Sequence, residues 1–173
     1  QFQHQIAQYD ESIRYIDAQL ERLNRVLEQS DRSVRWVITS DHGEEFGERG
    51  SWGHAHTLYA EQLRIPLVIS GADIAPKVIT ESVGLHDLAP TIASWFPMAD
   101  SLEPDGIDIM QQIPDRPFLA ETSRFKTNRI SLLDSGYRLE WDLKSGKKEL
   151  FSKGDRNETK DLSTADPNRI KYM

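Results

Sequence analysis

The sequence predicts an α/β fold, with parallel core strands and helices followed by a small antiparallel meander. Three observations predict it. An amphipathic helix repeat opens the chain, two short and nearly continuous apolar runs follow, and alternating segments separated by glycine turns close it. Residues 1–97 read as part of an α/β domain. The composition shifts after Pro97, so residues 98–173 read as an antiparallel subdomain with a polar tail.

The elements follow in order. Ile6, Tyr9, Ile13, Ile16, Leu20, Leu23 and Leu27 recur at spacings of three and four, which puts them on one helix face. The same spacing fits a short coiled-coil seam. The flanking Asp10, Ser12, Asp17, Gln19, Asn24 and Val26 offer no complementary charges, so packing onto a sheet is the expectation. Ser30, Asp31 and Ser33 break the helix. Residues 34–39 read as a strand buried on both faces, because the apolar run is almost unbroken. A polar loop spans 40–55, and a short helix 58–63. A second strand covers 67–70 between Pro66 and Gly71, and a third 77–83. Trp36, Val37, Ile38, Leu67, Val68 and Ile69 are expected in the sheet, most of them buried. Asp87 reads as the N-cap of a helix that Pro97 stops. Gly, Pro, Asp and Ser cluster over 98–116. Strands are expected at 117–121, 130–133, 137–141 and 148–151, with turns at Asp134-Ser135-Gly136 and Ser145-Gly146. The tail from Lys153 reads as loop.

Composition excludes several functions. The formal net charge of −7 leaves no basic stripe for phosphates, so no nucleic-acid partner is expected. With no cysteine, the chain can form no disulfide, thiolate metal site or thiol nucleophile. No apolar run reaches membrane-spanning length, so this chain carries no membrane segment of that kind. It begins at Gln1 directly before a helical pattern, which reads as a cut or processed start. Any targeting region would lie upstream, so localisation is not readable, and both bacterial periplasm and cytoplasm stay open.

The chemistry concentrates in residues 40–56, Ser-Asp-His-Gly-Glu-Glu-Phe-Gly-Glu-Arg-Gly-Ser-Trp-Gly-His-Ala-His. Ligands in open α/β sheets bind beyond the carboxyl ends of strands, where this segment begins. Asp41 offers a hard oxygen ligand, the adjacent His42 a borderline nitrogen, and Gly43 a sharp turn after them. A turn capped by Asp41 is the plainer reading of that pair. His54 and His56 stand two apart, so an extended segment would point both into one pocket; a solvated pair is the alternative. His86, before a helix start, reads as structural.

These residues carry a resemblance. Residues 39–50 (Thr-Ser-Asp-His-Gly-Glu-Glu-Phe-Gly-Glu-Arg-Gly), Trp52-Gly53-His54, Leu58-Tyr59-Ala60-Glu61 and Arg64-Ile65-Pro66 resemble the C-terminal signature of sulfatases, in the alkaline phosphatase-like superfamily. Tyr9-Asp10-Glu11, Asp87-Leu88-Ala89-Pro90-Thr91, Gly136-Tyr137-Arg138-Leu139 and Asn157-Glu158-Thr159 are similar to flanking parts of the same family, in the same order. The resemblance implies Asp41 and His42 as metal ligands, and His54 or His56 near the sulfate as catalytic residues. It implies a divalent metal, calcium by family default. His42 in place of the family's frequent asparagine opens manganese or zinc. The implied substrate is a small sulfate ester. Sulfatases use a formylglycine nucleophile made from Cys or Ser in a Cys/Ser-x-Pro-x-Arg motif. Pro114-Asp115-Arg116 and Pro167-Asn168-Arg169 have the Pro-x-Arg spacing without the nucleophile. The formylglycine and the other metal aspartates are therefore expected in a missing N-terminal part, and this chain alone is expected to be inactive.

Two other readings stand beside this one. A phosphate or phosphonate ester hydrolase, or a phosphoethanolamine-type transferase, would share the Asp-His signature. A helical fragment without catalytic activity would instead self-associate, through the N-terminal helix or an exposed sheet edge.

Overall fold

A computed structural model describes residues 2–97 and 105–173. Residues 98–104, the first part of the Gly, Pro, Asp and Ser cluster expected over 98–116, lie outside the described residues. The chain divides into two compact units. The first takes Gln1–His54 and Arg64–Pro76, the second Ala55–Leu63 and Lys77–Met173.

In the first unit, helix α1 (Gln3–Leu27) is followed by strand β1 (Arg35–Thr39), the two-residue strands β2 (Glu45–Phe46) and β3 (Trp52–Gly53), and β4 (Leu67–Gly71). The three-four apolar spacing does form the helix, but its stripe lies largely open: Ile13 and Ile16 are 53% and 56% exposed. Side chains in and beside α1 meet the hairpin and β1. Phe2 stacks on Trp52, Tyr9 meets Phe46 edge-on, and Asn24 accepts a hydrogen bond from the Trp36 indole at 3.2 Å.

The expected parallel core is not seen. β1 pairs with β4 antiparallel, from Arg35 opposite Gly71 to Thr39 opposite Leu67, and every strand pairing among the described residues is antiparallel. An apolar run reports burial on two faces and says nothing about the direction of its neighbour. The burial expectation also fails: none of Trp36, Val37, Ile38, Leu67, Val68 and Ile69 is fully buried, and Val68 is 52% exposed. Residues 77–83 form no strand. The Arg35–Asp73 ion pair ties one end of this ladder, and the Thr39 hydroxyl donates to the Pro66 carbonyl at the other.

In the second unit, α2 (Ala60–Leu63) and α3 (Leu88–Ala93) precede a four-stranded meander: β5 (Phe118–Thr122), β6 (Arg129–Asp134), β7 (Tyr137–Asp142) and β8 (Lys148–Ser152). The strand and turn expectations hold here. Ser135 and Gly136 both take positive φ, as a two-residue hairpin turn matching strand twist requires. The tail is not all loop: Asp166 accepts from the Arg169 amide and starts α4 (Pro167–Tyr172). Asp87 stands at the N-cap position of α3, as expected, but its side chain does not bond to the helix amides. Its buried carboxylate accepts from the Gly84 and Ile107 amides and pairs with Arg116. Burial opposes its charge, yet Arg116 and those amides hold the carboxyl below the usual range. His86 is structural in this sense, its ring lying beside Phe118 and Arg116.

The meander holds the segment around α2 through carboxylates. Glu140 accepts from the Leu58 amide at 3.3 Å, Glu158 from the Ala60 amide at 2.8 Å, and Glu149 from the Tyr59 hydroxyl at 2.5 Å. Glu140 and Glu149 face each other across β7 and β8, an arrangement of like charges that disfavours a sheet unless donors compensate. Burial pushes the Glu140 carboxyl up to about 7. The Arg129 guanidinium and the Leu58 amide oppose that rise, and the Glu158 charge adds to it.

The folded value lies above the unfolded one, so the folded state holds the proton more tightly. Stability from this group is full below about pH 4.5 and is lost as pH rises through about 7. Glu140→Gln keeps an acceptor for Leu58 and removes the titration. The stability of the variant relative to the parent chain is expected to rise by on the order of 2 kcal/mol between pH 4.5 and 8. Urea unfolding across that range checks it; a pH-independent difference would contradict the buried, proton-holding carboxyl.

Candidate metal and anion site

The loop after β1 is built around one buried side chain. Glu45 is fully buried, and its Oε1 accepts from the Arg49 amide (3.2 Å), the Ser51 amide (3.2 Å) and the Ser51 hydroxyl (2.7 Å). Those bonds close the 46–51 turn. Gly47 and Gly50 supply the positive φ that the turn needs. A side chain at Gly47 would also press on the Phe2 ring, 3.1 Å from where its Cβ would lie. Phe46 and Trp52 pack edge-to-face across the hairpin at 5.0 Å.

The closed turn sets the register of β2 and β3. Glu45 lies opposite Gly53 and Phe46 opposite Trp52, so the next pair outward is Glu44 and His54. His54 Nδ1 and Glu44 Oε2 are 3.2 Å apart. The His42 ring lies against the His54 ring, with centroids 4.0 Å apart and planes tilted by 30°. His42, Glu44 and His54 each offer a ligand atom, all within 4.8 Å of one another.

His42 is held by its own loop. Its Nδ1 is 2.8 Å from the Gly43 carbonyl oxygen, which can only accept, so Nδ1 carries the proton and Nε2 the lone pair. The Ser40 hydroxyl donates to the His42 carbonyl at 2.5 Å. Asp41 accepts from the His42 amide at 3.0 Å, and its second oxygen lies 3.6 Å from His42 Nε2. Its side chain is 85% exposed, whereas those of His42 and His54 are about half as open, at 42% and 43%. Asp41 thus combines the turn-capping role with a carboxylate oxygen free to bind a cation.

The sequence placed His42 and His54 among the functional residues, and the structure brings them together. It does not extend the segment that follows. Ala55 takes a left-handed φ of 67°, its amide donating to Gln62 at 2.7 Å and its carbonyl accepting from Thr122 at 3.2 Å. The premise that His54 and His56 share a direction through an extended chain is therefore removed. His56 belongs to the second unit, where its ring lies 4.9 Å from Phe125. Glu44 was missed. The available signal was the glycine-flanked Phe46…Trp52 spacing, which marks a hairpin whose register puts 44 opposite 54.

Residues 1–98 match the family described as Sulfatase. Over 121 residues the chain is 29% identical to the uncharacterized sulfatase YidJ of Escherichia coli, covering 68% of this chain and 24% of that protein. It is 38% identical over 84 residues to the low-salt glycan biosynthesis sulfotransferase Agl7 of Haloferax volcanii, covering 46% of this chain and 20% of the relative. The chain thus spans a quarter or less of the length of these curated relatives. Among solved structures, a 2-O GAG sulfatase shares the fold with a TM-score of 0.57 at 21% identity, over 80% of this chain and 33% of that one.

Glu45→Ala removes the acceptor of three donors. It is expected to destabilise the hairpin by about 2–4 kcal/mol, with Glu45→Gln recovering part. Amide exchange at Arg49 and Ser51, read by NMR, should quicken in the alanine variant. Unchanged exchange at Ser51 would show that the turn does not depend on this carboxylate.

Proposed function

The chain belongs to the sulfatase family, and from that membership we propose that it is the C-terminal part of a metal-dependent sulfuric ester hydrolase. The observation that carries the reading is the Asp41-His42 pair, directly beyond β1 and inside the matched region, with an exposed carboxylate beside an imidazole that keeps one nitrogen free. Their donor chemistry fits part of a divalent-cation site: a hard oxygen, and a nitrogen whose tautomer a carbonyl holds. Calcium suits the oxygen ligand; the imidazole also admits manganese or zinc. Bound there, such a cation would offset the negative charge of a sulfate oxygen and of the nucleophile.

The protein's own groups would divide the remaining work. His54, packed against His42, would donate a hydrogen bond to a sulfate oxygen or a proton to the leaving alcohol. His56 is the alternative for that proton. The nucleophile, a formylglycine in this reading, would come from a part of the enzyme outside this chain, as would further ligands. The identity to a sulfotransferase supports sulfur, rather than phosphorus, as the attacked atom. The substrate would be a small sulfate ester.

Two measurements test this. In the complete enzyme, calorimetry should show calcium binding that Asp41→Ala weakens by roughly tenfold or more; unchanged affinity would remove Asp41 from the site. The purified chain, supplied with calcium, manganese or zinc, should release no phenol from an aryl sulfate above an Asp41→Ala control. Turnover above that control would show that a nucleophile lies within this chain.

A further inference from the structure

We infer that Phe125, between Arg124 and Lys126, is the platform of a subsite for an acidic sugar ring, a saccharide with carboxylate or sulfate groups besides the ester to be cleaved. The substrate class rests on the proposed hydrolase reading. The subsite itself rests on three features of the second unit.

The first is strain gathered in one place. Among the described residues, five other than glycine take positive φ, and three of them are Ala55, Phe125 and Lys126, at 67°, 49° and 63°. Left-handed backbone is costly for a residue with a Cβ, and it persists only where surrounding bonds impose it. Here they do. The Thr122 hydroxyl, at the end of β5, donates to the Ala55 carbonyl at 3.2 Å and ties the two strained segments together. The Thr127 amide and hydroxyl both donate to the Arg124 carbonyl, at 2.9 and 2.6 Å, and close the turn around Phe125. The Leu143 amide holds the far end by donating to the Asn128 carbonyl at 2.8 Å.

The second is what the strain achieves. Phe125 is 65% exposed. The turn is therefore unfavourable twice over, in its backbone and in an apolar ring left in water, and burial offsets little of either. The half-buried His56 ring lies beside it, centroids 4.9 Å apart and planes tilted by 39°. A ring that the backbone holds out at such a cost is a surface on which a ligand can lie.

The third is charge. The chain carries a formal net charge of −7, yet both neighbours of Phe125 are exposed cations. Neither Arg124 nor Lys126 is in an ion pair among the described residues. The Phe125 face offers dispersion contact to the C–H face of a sugar ring. The guanidinium fork of Arg124 matches a carboxylate or sulfate, and Lys126 adds a mobile point charge. A neutral sugar would use the ring without the cations, and a small anion the cations without the ring. An acidic sugar uses both.

The test is an NMR titration of the purified, metal-free chain with a sulfated disaccharide containing glucuronate. Cellobiose and inorganic sulfate serve as the neutral and the ring-free probes. The acidic disaccharide should bind roughly tenfold or more tightly than either. On the unaltered chain it should shift the Phe125 ring resonances before those of Phe96, which is also exposed. Phe125→Ala, and Arg124→Ala with Lys126→Ala, should each weaken binding roughly tenfold, while Phe125→Tyr should stay within about threefold. Phe125→Gly relieves the positive φ, so it should unfold at no lower urea concentration than the parent chain while losing the disaccharide. Circular dichroism checks that each variant folds. Equal affinity in Phe125→Ala, inorganic sulfate or cellobiose binding as tightly as the acidic disaccharide, shifts that begin at Phe96, or a Phe125→Gly chain that unfolds more easily would each overturn the subsite. Binding is read without metal or turnover. Failure here leaves calcium binding at Asp41 and sulfate release by the complete enzyme untouched, and failure of those leaves this titration unaffected.

Discussion

The loop that carries the chemistry depends on one buried carboxylate. Glu45 has no place in an apolar interior unless its charge is met by donors, and the 46–51 turn folds so as to meet it with two amides and a hydroxyl. The turn fixes the hairpin register, and the register puts Glu44 beside His54. A slip of one residue would send every side chain of these short strands to the opposite face. Two-residue strands cannot hold a register through their own ladder, so the turn and the Phe46–Trp52 contact must do it.

The second unit uses the same principle at a larger cost. Glu140, Glu149 and Glu158 gather around the Leu58, Tyr59 and Ala60 donors, and together they hold the chain segment next to α2. Only some of the charge is compensated. Arg138 pairs with Glu158 at 2.7 Å, and Arg129 lies 3.3 Å from Glu140, but Glu140 Oε2 has no hydrogen-bond partner among the described residues. Burial is the main reason the carboxyl of Glu140 holds its proton toward neutral pH, and the Glu158 charge adds to it. The Tyr59 phenol, pushed well up by burial and then by the Glu149 carboxylate, stays a neutral donor throughout.

The sequence was legible where local rules decide the outcome. The helix repeat of α1, the meander and its Ser135-Gly136 turn came through, because periodicity and turn residues act within a few positions. It misled where neighbours decide. Val34-Arg-Trp-Val-Ile-Thr39 reads as doubly buried, yet Ile38 is exposed and β1 runs antiparallel to β4. Asp87 has the look of a helix cap, but Arg116, distant in sequence, claims its carboxylate. At the site, His42 and His54 were recognisable by type and family resemblance, while Glu44 was hidden among four acidic residues of one loop. Ala55 could not have been foreseen: a left-handed alanine is held by Gln62 and Thr122, seven and 67 positions away.

The loop and its hairpin bring the His42 and His54 rings into contact, with their planes tilted by 30°. Nuclear Overhauser effects between the two imidazoles, measured on the metal-free chain, test it most directly. With ring centroids 4.0 Å apart, strong cross-peaks between their carbon-bound protons are predicted, together with cross-strand peaks between Glu44 and His54. Absence of both sets, in a chain whose Phe46–Trp52 cross-peaks are present, would contradict the account: the hairpin would then form without assembling the site.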